Sequence, residues 1–211
     1  MPPRSLVATA ALVAALATTT GASAADRFFM PGVETGEKTT IMARPDGEAG
    51  AFAHQKIEIL NNSTLACEDP ELSGAMRGRV VKQLDFTKLD FGACTYMSMP
   101  ARLNTSSCAA VIYGVGLGRL TSRGSGRCDL RIEAPGCVIH LGRGLFVRVG
   151  FHNFGAGHDE ITVLTEPIPI GGTARGTLCL TPGPLAIGTY SGYLRFSASR
   201  GGERTKLNVI L

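Results

Sequence analysis

Hydrophobic and polar residues alternate along much of this chain. Leu145, Val147, Val149 and Phe151 fall on one side of a two-residue repeat, with Arg148 and His152 on the other. Leu194 and Phe196 oppose Tyr193 and Arg195 in the same way. A period of two is the mark of a half-buried strand, because successive side chains leave opposite faces of the pleat. Segments of this kind recur roughly every ten residues, cut by glycine and proline, which is the rhythm of a sandwich or barrel. The predicted strands are His54–Leu60, Arg79–Leu84, Lys88–Ala93, Ala101–Asn104, Cys108–Val115, Arg119–Arg123 and Cys128–Glu133. Further along come Cys137–Leu141, Leu145–His152, Ile161–Glu166, Gly176–Leu180, Tyr190–Ala198 and Thr205–Ile210.

One stretch carries two signals. Asp69-Pro70-Glu71 is a good helix opening, and Leu72, Met76, Val80 and Leu84 repeat every fourth residue. Gly74 and Gly78 would each cost such a helix about 1 kcal/mol relative to alanine, which tips the expectation towards strand.

The N-terminus has a separate logic. Arg4 precedes an almost unbroken Ala/Val/Leu run from Leu6 to Ala17, and Ala22-Ser23-Ala24 supplies the small residues of a cleavage site. This is the pattern of a secretory signal peptide over residues 1–24, with the mature chain, residues 25–211, starting at Ala25. The apolar run is shorter than the roughly 20 residues that span a bilayer, and no later segment reaches that length. The expectation is therefore a secreted, extracellular protein with no transmembrane segment. A net charge of +4, partly from Arg4, is too mild to imply a nucleic-acid partner.

Export changes the meaning of the six cysteines, at 67, 94, 108, 128, 137 and 179. An even count in an oxidising compartment reads as disulfides, and the absence of a C-x-x-C pair argues against zinc. Folding Cys108–Cys128 about Gly116-Leu117-Gly118-Arg119 brings the two cysteines almost opposite each other. Cys67 and Cys94 pair most simply by proximity, which leaves Cys137 with Cys179. Six cysteines allow fifteen connectivities, so the others stay open.

The run from Cys67 to Ala198 also resembles a group of small exported β proteins from soil actinobacteria with six spaced cysteines and no assigned activity. The likeness rests on Phe91-Gly92-Ala93-Cys94, Leu103-Asn104-Thr105-Ser106-Ser107-Cys108, Cys137-Val138-Ile139-His140-Leu141-Gly142 and Gly188-Thr189-Tyr190-Ser191-Gly192-Tyr193. It implies secretion and a β fold and carries over no catalytic residue. The sequence departs from the group at Arg143-Gly144, which follows the Cys137 strand.

Candidate chemistry is sparse. His152, His158 and Asp159, with Glu160, form the densest group of metal-ligand types, but their spacing matches no two-histidine motif, and a solvated turn explains them better. Asp85 with Asp90, or Asp159 with Glu166, are carboxylate pairs of the kind glycoside hydrolysis uses, though nothing distinguishes them from a polar face. Gly124-Ser125-Gly126 lacks the setting of a nucleophile elbow. Arg119, Arg123, Arg127 and Arg131 recur every fourth residue, with Arg143 and Arg148 downstream. On one strand face they would suit an anionic wall polymer or other cell-surface component, lipid headgroups or extracellular DNA, though arginines on exposed strands also serve simply to block edge pairing. The tyrosines at 96, 113, 190 and 193 are too dispersed for a sugar-stacking platform.

These readings converge on an all-β, disulfide-stapled antiparallel β-sandwich of about ten to thirteen strands, with immunoglobulin-like layering as one form. The sequence leaves open one domain or two subdomains meeting near residues 155–159. No cofactor is expected. The expected function is non-catalytic binding or a structural role at the cell surface. The alternatives are a small-ligand carrier or protein inhibitor, then a secreted hydrolase or metal-binding protein.

Overall fold

The structure, a computed structural model, describes residues 27–45, 55–59, 63–125, 127–142, 146–154, 160–179 and 182–210. Among these, every regular element is a strand, every pairing is antiparallel, and the layering is sandwich-like. The described strands number eighteen, more than the sequence rhythm suggested, chiefly because Arg27–Phe29, Lys38–Pro45, Ser63–Cys67, Glu71–Arg77 and Cys94–Tyr96 lie outside the predicted strand segments.

Two long strands organise the rest. β15 (Glu160–Arg175) and β16 (Gly183–Arg200) form a hairpin along which two closed circuits of strands are joined. The first circuit runs from β16 through β2 (Lys38–Pro45), β5 (Glu71–Arg77), β7 (Gln83–Asp90), β10 (Cys108–Tyr113), β11 (Leu117–Ser122) and β14 (Phe146–Phe154) to β15. The second runs from β16 through β3 (Gln55–Ile59), β4 (Ser63–Cys67), β8 (Cys94–Tyr96), β9 (Met99–Asn104), β12 (Arg131–Ala134) and β13 (Cys137–Leu141) to β15. β16 pairs with β3 over Gly188–Ser191 and with β2 over Leu194–Ser199, so its two ends serve different circuits. β17 (Glu203–Thr205) returns along the end of β16. A separate three-stranded sheet of β1 (Arg27–Phe29), β6 (Val80–Val81) and β18 (Asn208–Ile210) lies against the first circuit, bringing Phe28 to Phe151. Closure matters because it removes the open strand edges that promote aggregation.

The chain does not finish one circuit before starting the other. Between β4 and β5, β7 and β8, β9 and β10, and β11 and β12 it crosses from one to the other. At the first two crossings the Glu68 amide donates to the Ala93 carbonyl at 3.0 Å. Gly92, at φ 58°, lies against the Asp69 backbone, where a β-carbon would have no room. At the third, the buried Thr105 hydroxyl donates to the Leu89 carbonyl.

Three disulfides close, Cys67–Cys94, Cys108–Cys128 and Cys137–Cys179, and the six cysteines are all used. The expected pairing is found, but the route to Cys108–Cys128 differs. The β10–β11 register runs from Cys108↔Ser122 to Tyr113↔Leu117, so the turn is at Gly114–Gly116 and Ser122 stands opposite Cys108. Cys128 comes back from the loop beyond β11. It is held there by its own amide on Ser122 Oγ at 3.3 Å and by the Asp129 amide on Ser107 Oγ at 2.9 Å.

The ambiguous stretch is extended, as the glycines suggested, with β5 over Glu71–Arg77. Gly74 sits at a bulge, where β5 comes so close to the Asp85 carbonyl that a side chain would collide. Gly78 takes φ 96° in the turn that follows. Four expectations need correction. The Arg79–Leu84 segment bends at Lys82 between β6 and β7, and the Lys88–Ala93 segment is the end of β7 followed by a crossing. The strand placed at Cys128–Glu133 begins only at Arg131. Gly176–Cys179, read as a strand, is a turn in which the Leu178 amide donates to Gly136 O at 3.1 Å. The possible subdomain boundary at 155–159 falls outside the described residues. Within them, β15 and β16 belong to both circuits.

Candidate functional site

Alternation along β10, β11 and β14 decides what faces inward. Leu84, Ile112, Gly118 and Val147 stand in one row across four strands, and Phe86, Ala110 and Leu120 in the next. Gly118 is required there, since a β-carbon would overlap Val147. These rows do not fill the space they enclose. A cavity of about 100 Å³ remains, lined on this side by Ile112, Leu120, Val147, Val149 and Phe196. The opposite wall comes from the second circuit and the crossings: Ile57, Leu103, Leu130, Leu141 and Tyr190. The cavity thus lies at the seam where the two circuits meet along β16.

Its lining is nearly all hydrocarbon. The Thr105 hydroxyl is spent on the Leu89 carbonyl, and the Tyr190 hydroxyl donates to Gln55 Oε1. Gln55 is itself 2% exposed, and its Nε2 donates to the Tyr193 carbonyl at 3.4 Å. Gly192 makes room for that amide, since any β-carbon would run into it. A buried polar pair satisfied in this way costs little and fixes the Tyr190 ring as part of the wall. Among the described residues the one charged residue bordering the cavity is Arg119, whose place in the alternation of β11 sends its side chain outward. Among the described residues no carboxylate, imidazole or thiol lines it. Such a space suits an apolar molecule: a dry cavity of about 150 Å³ lined by Leu, Ile and Phe is large enough to hold benzene.

The residues singled out from the sequence are scattered by comparison. Arg119 lies on β11, Arg123 and Arg127 are exposed in the loop after it, and Arg131 is on β12 in the other circuit. The fourfold spacing does not put them on one strand face, because the chain crosses circuits between Arg123 and Arg131. Arg131 is also engaged by acids, with Asp129 Oδ2 at 3.3 Å and Glu133 Oε1 at 3.6 Å. His152 is exposed on β14 opposite Thr162, while His158 and Asp159 lie outside the described residues. Among the described residues no three His, Cys, Asp or Glu side chains gather as a metal site. Asp85 and Asp90 are five residues apart on β7, about 16 Å, which is beyond the reach of a paired-carboxylate hydrolysis.

One polar cluster escaped the sequence reading. His140 Nδ1 lies 3.2 Å from Asp129 Oδ1, and His140 and Asn104 flank Arg131 in register on β13 and β9. Asn104 Nδ2 donates to Glu133 at 3.1 Å. The alternation in Cys137-Val138-Ile139-His140-Leu141 was the available signal, since it sends His140 outward and Ile139 inward. Each member is matched by another on an exposed sheet face, so the cluster holds strands together.

No protein-family model, curated protein or solved structure matches the chain.

Proposed function

We propose that this chain is an exported, non-catalytic binding protein that holds a small apolar molecule in the cavity between its two strand circuits. The observation that carries the proposal is the cavity itself: about 100 Å³, walled by hydrocarbon from both circuits, with its two hydroxyl-bearing residues already hydrogen-bonded. Well-packed interiors leave few voids larger than a water molecule, so an apolar space of this size is a place for a ligand. Three disulfides with no free thiol are compatible with the oxidising compartment that export implies. The surface reading that relied on four arginines sharing a face receives less support, because they are divided among β11, a loop and β12.

The test is a thermal shift with benzene, indole and short n-alkyl alcohols on the wild-type chain and on Ala110→Leu, which places extra methyl groups at the cavity wall. A ligand that binds only the folded state raises the melting temperature with concentration. We expect such a rise in the wild type and its loss in Ala110→Leu, with that variant still folded by circular dichroism. No rise with any of the three probes, or an equal rise in both proteins, would sink the proposal.

A further inference from the structure

We infer that the turn end of the β10–β11 hairpin docks on an anionic lipid surface, a role that does not depend on the cavity holding a ligand. Val115, at the apex, is 53% exposed, and Leu117 beside it is 43% exposed. Single exposed aliphatic residues are ordinary on protein surfaces. The Gly114 amide donates to the Lys82 carbonyl at 2.9 Å, which ties the turn to the residue after β6, the strand that carries the 44% exposed Val80. Glycines at 114, 116 and 118 leave the apex thin, so Val115 and Leu117 are what it presents.

Cations surround this apex. Lys82 is exposed next to Val80, and Arg148 on β14 is the register partner of Leu117. Arg119, also exposed, follows two residues after Leu117 on the same outer face. Across β7, β10, β11 and β14 the outermost row is Gln83, Tyr113, Leu117 and Arg148, none of them acidic, and on β15 the residue after Thr165, the partner of Val149, is Glu166. The nearest carboxylate along β7, Asp85, is one row further in and receives a hydrogen bond from Gln83 Nε2 at 2.9 Å.

An aliphatic tip ringed by lysine and arginine has the two halves of an interfacial anchor. The tip reaches the boundary between headgroups and acyl chains, and the cations meet lipid phosphates. An anionic polysaccharide has the charge but no use for exposed Val and Leu. A stable protein partner would cover about 800 Å² per side, far more than one turn offers.

The experiment is cosedimentation of the full chain with phosphatidylcholine vesicles, with and without phosphatidylglycerol, in parallel with a sulfated-dextran resin. Two variants accompany it, Val115→Ser/Leu117→Ser and Lys82→Gln/Arg148→Gln, both confined to exposed side chains and checked for unchanged melting temperature. We expect binding only to the phosphatidylglycerol vesicles. It should weaken about thirtyfold in Lys82→Gln/Arg148→Gln and at least about tenfold in Val115→Ser/Leu117→Ser. Failure to sediment with the anionic vesicles, retention by the resin alone, or full binding by Val115→Ser/Leu117→Ser would each overturn the inference.

Discussion

The two strand circuits are held together by different means. The first buries aromatic rings: Phe86 and Phe196 meet at 5.1 Å between centroids, and Phe28 from the small sheet meets Phe151 edge-on at 5.3 Å. The core of the second is aliphatic, built on Ile57, Leu65, Leu103, Ile132 and Ile139, with Tyr96 as its fully enclosed ring. What the second has instead is the larger share of the cross-links, two of the three disulfides, since Cys108–Cys128 starts from β10 of the first circuit. Cys67–Cys94 joins adjacent strands β4 and β8 within it, and Cys137–Cys179 ties the start of β13 to the turn after β15. Strand pairs close whether a large hydrophobic payload or a covalent tie opposes chain entropy. The circuit with shorter strands and smaller side chains uses the tie.

This division should break asymmetrically. The largest effect is expected from Phe196→Ala, about 3–5 kcal/mol lost in denaturant unfolding, because a ring at 0% exposure leaves a cavity behind. Phe86→Ala should be non-additive with it, since the two rings touch. Next comes Cys137→Ser/Cys179→Ser, which frees a loop of 42 residues and should cost about 3–4 kcal/mol. Hydrogen exchange should then show β12 and β13 losing protection before β7 and β10. Uniform loss across both circuits would mean that they unfold as one unit. Gly74→Ala sharpens the comparison inside the first circuit. A methyl group against the Asp85 carbonyl should force β5 and β7 apart and cost about 1–3 kcal/mol. The smallest effect belongs to His140→Ala on the outer face of the second circuit. Its exposed pairing with Asp129 is worth at most about 1 kcal/mol, and a larger loss would mean that the polar cluster carries stability there.

How far the fold could be read from the chain varies by place. The strands from Cys108 to Leu141 were legible because each is short, alternates, and ends in a turn. β15 and β16 were seen only in part. Pro167, Pro169 and the Gly171-Gly172 pair look like terminators of the Ile161–Glu166 segment. In the folded chain the ladder shifts register at Thr165/Ile168 and Ile170/Gly172, and the strand continues to Arg175. Residues that cannot sustain a regular ladder are tolerated at bulges, so they mark where β15 changes partner from β14 to β13. β2 went unmarked because Thr39, Ile41 and Ala43 alternate with modest side chains, whereas β5 was read as a strand only against a competing fourfold repeat. The cavity could not be read at all. Its walls come from strands as far apart as Ile57 and Phe196, and its existence depends on how small residues such as Ala110 and Gly118 fall opposite each other.

The shared hairpin also dictates an order of events. β15 and β16 follow every other member of both circuits along the chain, yet each circuit closes only through them. Until residues 160–200 are in place, the hairpins β3–β4, β8–β9, β10–β11 and β12–β13 can form singly, but neither ring of strands can shut. Native contacts of such long sequence separation make for slow folding. The chain therefore stays open until its last long hairpin arrives, and that arrival completes both halves together.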